Sequence, residues 1–138
     1  MDYIDIVGRN DSGWVIREPE TKYEIDLLDR TFECAIMVLE TLQTVGHEKE
    51  KDAVRYQLAK SGTSIGANYE EAQGASSRRD FSNKIKIVYR EVRESHYWCR
   101  ILKRMKWGDT KKVGQLSGEL EELRKIFGRM LQTLGKAN

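Results

Sequence analysis

Residues 55–81, RYQLAKSGTSIGANYEEAQGASSRRDF, decide how this chain is read. Val54, Leu58, Ser61, Ile65, Asn68, Ala72 and Ala75 recur at alternating steps of four and three, the spacing of one helix face. Gly62, Thr63, Ser64 and Gly66 sit in the middle of that rhythm, although helices use such residues sparingly. Each glycine costs a helix interior about 1 kcal/mol relative to alanine. A helix that carries Gly62 and Gly66 four residues apart needs bare backbone for close contact with another helix or another chain. Asn68 falls on the same stripe and is expected to fix register through its amide, as a buried polar residue can in helical assemblies. SGTSIGAN also invites comparison with a phosphate-binding loop. It lacks the Lys-Ser/Thr ending of a P-loop and follows no strand, so packing is the preferred reading.

The flanking sequence keeps the same helical period. A first helix is expected from about Tyr23 to Val45, with Ile25, Leu28, Phe32, Ile36, Leu39 and Leu42 as its stripe and Gly46 as its stop. The second runs from about Lys51 to Ala75. The third starts after Ser77, a plausible N-cap, and ends near Trp107-Gly108, with Phe81, Ile85, Val88, Val92, Ser95, Cys99 and Leu102 facing the core. Asp109 or Thr110 caps a fourth helix carrying Val113, Leu116, Leu120, Leu123, Phe127, Met130 and Leu134. Four long helices with short connections predict an all-α, antiparallel up-down-up-down four-helix bundle over residues 23–138. Residues 1–22 form an N-terminal extension. YIDIV and WVIRE are short β-prone runs around the turn-like GRNDSG, so a small hairpin, an extended arm and disorder all fit.

Composition narrows the class. The 138 residues suit one domain, and a 33% charged, 39% hydrophobic mixture suits amphipathic helices. Cys34 and Cys99 have no metal or redox spacing and lie among apolar residues, which favours reduced, buried thiols in a cytoplasmic protein. Met1–Ile6 has two aspartates and no basic segment, unlike a signal peptide. No apolar run is long enough for a membrane span.

The net charge of +2 hides a segregation. Residues 1–50 carry twelve acidic and five basic side chains, net −7, whereas residues 78–106 carry ten basic and three acidic, net +7. Arg79, Asn83, Lys86, Arg90, Arg93, Tyr97, Arg100 and Arg104 follow steps of four and three on the side of the third helix opposite its core face. That stripe is about 37 Å long at 1.5 Å per residue. Arginine donates paired hydrogen bonds to phosphate, and Tyr97 could stack on a base, so Arg79, Lys86, Arg90, Arg93, Tyr97, Arg100 and Arg104 are candidate RNA or DNA contacts. The alternative is a solvated face, or pairing with Asp26, Asp29, Glu33 and Glu40 of the first helix, within one chain or between subunits.

Catalytic chemistry is not expected. Glu70, Glu71, Glu91 and Glu94 evoke a di-metal carboxylate bundle, but such sites need a Glu-x-x-His pair on each of two helices. Only His47 and His96 are present, and neither has that spacing. No metal and no other cofactor is expected. Glu91 and Glu94 are expected instead to hydrogen-bond Arg55, Tyr56 or a Ser/Thr of the second helix, because a buried carboxylate needs a partner. Ser, Cys and His form no nucleophilic site, and His96 is expected at a surface or interface.

Several words of the central region also occur together in a known family. They are Gln57-Leu58, Ser61–Asn68, Glu71-Ala72, Asp80-Phe81, Glu91, Glu94 and Tyr97-Trp98. In this order they resemble the four-helix-bundle proteins encoded within intervening sequences of bacterial 23S ribosomal RNA genes. The resemblance implies an up-down-up-down bundle, a homo-oligomer in the form of a pentameric ring, and no established enzymatic activity. A structurally similar accessory protein of diversity-generating retroelements works with a reverse transcriptase and nucleic acid. The expected function is therefore a non-enzymatic oligomer contacting RNA or DNA through the third helix. The alternative is a protein–protein interaction or scaffolding module without nucleic-acid binding.

Overall fold

The computed structural model describes residues 5–10, 13–17 and 26–136. Two strands, β1 (Asp5–Asn10) and β2 (Gly13–Arg17), precede four helices: α1 (Leu27–Leu42), α2 (Lys49–Ala72), α3 (Arg78–Met105) and α4 (Thr110–Leu134). Short connections force each helix to pack antiparallel to the one before it. α1 packs on α2, α2 on α3 and α3 on α4; α1 and α4 close the circuit, which leaves α1 and α3 diagonal.

Local chemistry sets the helix ends. The side chains of Asp26, Ser77 and Asp109 accept from the backbone N–H of Asp29, Asp80 and Lys112 at 3.1, 3.0 and 2.9 Å. Each satisfies a donor that the first turn leaves open. α3 ends where Lys106 turns left-handed at φ 57°, followed by Gly108 at φ 86°. The N–H of Trp107 then bonds the carbonyl of Leu102 at 3.0 Å and closes that end.

The expected core faces of α3 and α4 are buried, with Ile126 added from α4. Ser95 lies within this core and donates to the Ser61 hydroxyl of α2 at 2.9 Å, so neither polar group is stranded. Cys34 and Cys99 are free and buried. Loss of water pushes the Cys34 thiol up to about 12 and the Cys99 thiol up to about 11.

The face of α1 differs from the expected stripe. Leu27, Thr31, Cys34, Val38, Thr41 and Leu42 are buried, whereas Phe32, Ile36 and Leu39 are exposed; Ile25 lies outside the described residues. The cause is the glycine pair of α2. A Cβ at Gly62 would come within 2.6 Å of Val38 Cγ2, and one at Gly66 within 3.2 Å of the Thr31 backbone. α1 and α2 are too close for Phe or Leu between them, so compact Val38 and Thr31 turn inward. The Thr31 hydroxyl donates to the Leu27 carbonyl at 2.6 Å, which removes the cost of burying it. Asn68 is also placed differently: it is half-buried and its amide donates to Ser64 of its own helix at 2.8 Å, while Tyr69 takes the core position.

β1 and β2 form an antiparallel hairpin with an irregular register between Ile6 and Gly8. The Trp14 ring lies 4.8 Å from that of Phe81, and the Trp14 backbone N–H donates to Gln73 Oε1 at 3.0 Å. Gly13 sits at φ 122°, a backbone conformation that strains any residue with a side chain, and a Cβ there would displace the Gln73 amide that accepts from Trp14. The hairpin thereby covers the bundle end where α2 turns into α3.

Candidate nucleic-acid interface

α3 presents the cationic stripe as a straight, exposed line. Arg79, Lys86, Arg90, Arg93, Tyr97, Arg100 and Arg104 are all exposed. Among the described residues, none of these six cations takes part in a salt bridge. Arg93 instead lies over the Tyr89 ring, 5.9 Å from its centroid. Among the described residues, no salt bridge joins the acidic side chains of α1 to this stripe. Arg30 of α1 turns the other way and holds Glu119 of α4 with two hydrogen bonds, at 2.8 and 3.0 Å.

The ends of α3 keep the stripe in line. At the start, the Asp80 carboxyl accepts from the Ser76 N–H at 3.0 Å and from Lys84 at 3.2 Å, which holds it below the usual carboxylate range. Arg78 reaches across to the Thr133 carbonyl of α4 at 3.1 Å. At the far end, Lys103 and Arg104 occupy the last turn, where positive charge complements the helix dipole.

A second row of cations lies across the α3/α4 groove, and it was not anticipated from α3 alone. Tyr89, Arg124, Lys125, Gly128 and Arg129 line a shallow groove of about 570 Å³. The Tyr89 ring lies over Gly128, where a Cβ would make ordinary contact with it at 3.5 Å. Arg124 is steadied by Glu121, and that pairing holds the Glu121 carboxyl below its ordinary value. His96 Nε2 lies 3.4 Å from the same carboxylate. A further depression at the start of α3 joins Arg78, Arg79, Lys86 and Lys136. The only sequence signal for this second row was Arg124-Lys125 followed by Arg129 on the fourth helix.

Glu91 and Glu94 lie on the opposite edge of α3 without the partners expected from sequence. Glu94 accepts from Trp98 Nε1 at 3.3 Å. Arg55 is engaged by the carbonyls of Leu42 and Val45 at the end of α1, the latter at 2.9 Å. Partial burial, then the charge of Glu94, raise the Glu91 carboxyl above its ordinary value. Among the described residues, no three His, Cys, Asp or Glu side chains converge as a metal would need. No helix of the described residues is long and apolar enough to cross a membrane.

The comparisons agree with this architecture. No curated protein matches the chain. A crystal structure of a protein with unknown function from the S23 ribosomal protein family of Bacteroides thetaiotaomicron VPI-5482 is 30% identical. It superposes with a TM-score of 0.70 over 78% of this chain and 99% of that one. The profile of the 23S rRNA-intervening sequence protein family matches residues 23–129, most of the chain, and the protein therefore belongs to that family.

Proposed function

We propose that this protein is a non-enzymatic, self-assembling bundle that contacts RNA or DNA through α3. The observation that carries the proposal is the exposed line of α3 cations, unpaired among the described residues and continued by Arg124 and Lys125 across the groove. Uncompensated arginines on one face repel each other, and a polyanion removes that repulsion while releasing its own counterions. Tyr97, 52% exposed and edge-on to Trp98 at 4.9 Å, offers a ring for base stacking. Family names that refer to 23S rRNA and to a ribosomal protein are consistent with such a ligand. A pentameric homo-oligomer in the cytoplasm is part of the same reading, and a ring would align several stripes for one strand.

The test is binding of labelled RNA and DNA oligonucleotides over a range of salt. Log affinity should fall with log salt by about 0.9 per phosphate contact on a duplex and about 0.7 on a single strand. Arg93→Glu with Arg100→Glu should abolish binding while leaving the helical signal and Tm intact. No binding to either polymer at low salt would overturn the proposal. It would leave the second reading, a protein-binding scaffold, which the exposed apolar side chains of α1 favour.

A further inference from the structure

The cations of α3 share its outward side with apolar residues. Over the last third of the helix, Tyr97, Ile101 and Met105 follow one another at steps of four, a strip about 12 Å long at 1.5 Å per residue. Met105 is 53% exposed, and Ile101 is half-buried against the core. An open depression of about 900 Å³ runs over the strip, where Tyr97, Ile101 and Met105 are joined by Arg100 and Arg104 and by Ser117 of α4. We infer that this depression takes unpaired nucleobases, so that the ligand of α3 is a single strand of RNA or DNA bound with its bases turned onto the protein. The inference deepens the proposed function by naming its ligand, and rests on it.

Phosphate contact alone leaves the strip without a use. A phosphate gains nothing from Ile101 or Met105. A duplex offers a helix its phosphates and base edges, while its ring faces stay stacked inside. An unpaired base offers a ring face, and ring faces stack on aromatic side chains and on guanidinium planes. The Tyr97 ring is steadied edge-on against Trp98, with centroids 4.9 Å apart. Met105 brings a thioether, which makes favourable contact with aromatic rings. Arg100 and Arg104 beside them reach phosphates and stack as well.

Charge across the helix sets how the strand lies. Counted from Tyr97 at about 100° per residue, Arg93 and Arg100 fall about 40° and 60° to one side. That side faces α4, since His96 on it lies 3.4 Å from Glu121. Ile101 and Met105 fall about 40° and 80° to the other side, which Glu94 and Glu91 share at about 60° and 120°. Carboxylates repel phosphates, so the backbone of the strand keeps to the cation side, where Arg124 and Lys125 continue the row. The bases then point away from α4, across Tyr97 toward Ile101 and Met105. Cation, apolar strip and carboxylate follow in the order of phosphate, ring and the N–H donors at the edge of a base. Glu94 accepts from Trp98 Nε1 through one oxygen and keeps the other for such a donor.

The experiment compares the affinity of the full chain, at one salt concentration, for single-stranded RNA and DNA oligonucleotides and for a strand of equal length made of abasic tetrahydrofuran units. The abasic strand keeps every phosphate and lacks every base. The natural strands should bind at least tenfold more tightly than the abasic one. Tyr97→Ala with Met105→Ser should lower affinity for the natural strands by about five- to a hundredfold, the worth of one stacked base, and leave the abasic affinity where it was. Tyr97→Phe, which keeps the ring, should retain the preference. An abasic strand bound as tightly as the natural ones would overturn the base site and leave the phosphate contact of α3 standing. An equal loss for natural and abasic strands in the double variant would do the same. No binding to any of the strands would overturn the proposed function, and this inference with it.

Discussion

Val38 occupies the space that a side chain at position 62 would require, and this single contact explains why α2 tolerates glycine. Gly62→Ala should destabilise the fold by about 1–3 kcal/mol, the usual range for overpacking. Val38→Ala in the same chain should recover part of the loss; additive effects in urea unfolding would contradict the contact. Gly118 supplies the contrast, since a Cβ there meets nothing within 4 Å. Gly118→Ala should therefore stabilise the helix by about 0.5–1 kcal/mol, through lower chain entropy when unfolded. Glu91 yields a pH prediction. Its carboxyl is raised by burial and by Glu94, so the folded chain holds a proton that the unfolded chain gives up. Stability from this group is complete at low pH and declines as pH rises through the folded value. Glu91→Gln should raise Tm near neutral pH and change little in acid; an equal shift at both would refute the titration account. At this scale the glycine spacing was legible, but the inward residue of α1 was not. Periodicity chose Phe32 and Leu39 for their size. The packing chose Val38 and Thr31 for their shape, and that choice depends on Gly62 and Gly66 of the next helix.

Each element was legible to the degree that its pattern is self-contained. α3 has one apolar face, from Phe81 to Leu102, and its Ser77 cap and core were readable directly. α1 has two apolar stripes, so its own sequence cannot say which is inside. The hairpin was one of three readings of a β-prone stretch; what decides it is tertiary, the seat of Trp14 on Phe81 and Gln73. That seat has a cost, because Trp14 Nε1 is enclosed without an acceptor among the described residues. Trp14→Phe should retain the docked hairpin at little or no loss of stability. Trp14→Ala should release β1 and β2 while the helices stay folded, read as fast amide exchange confined to residues 5–17. Exchange spreading into α2 and α3 would show that the hairpin is part of the core instead.

For the whole molecule, the sequence carried the separation of charge between its first third and α3, and hence one half of the candidate interface. It could not carry the other half. The helix wheel turns Arg93 away from the core face of α3, but it does not say that Arg124 and Lys125 line a groove with Tyr89, over whose ring Arg93 lies. That follows only from how α4 is rotated against Tyr89, which brings Gly128 beneath its ring. Binding should therefore respond to reversal of Arg124 as well as of Arg93. A salt slope unchanged in Arg124→Glu would confine the contact to α3.

The circuit of helices also has a consequence in time. Packing of α1 on α2, α2 on α3 and α3 on α4 joins segments that are neighbours along the chain, so each pair can form before the next is complete. The Arg30–Glu119 pair joins residues 89 positions apart and can form only once α4 has reached α1. Until then α1 is held on one side alone. Closing that seam is the long-loop step of folding, and α1 is secured on its second side only after α4 has been made and packed.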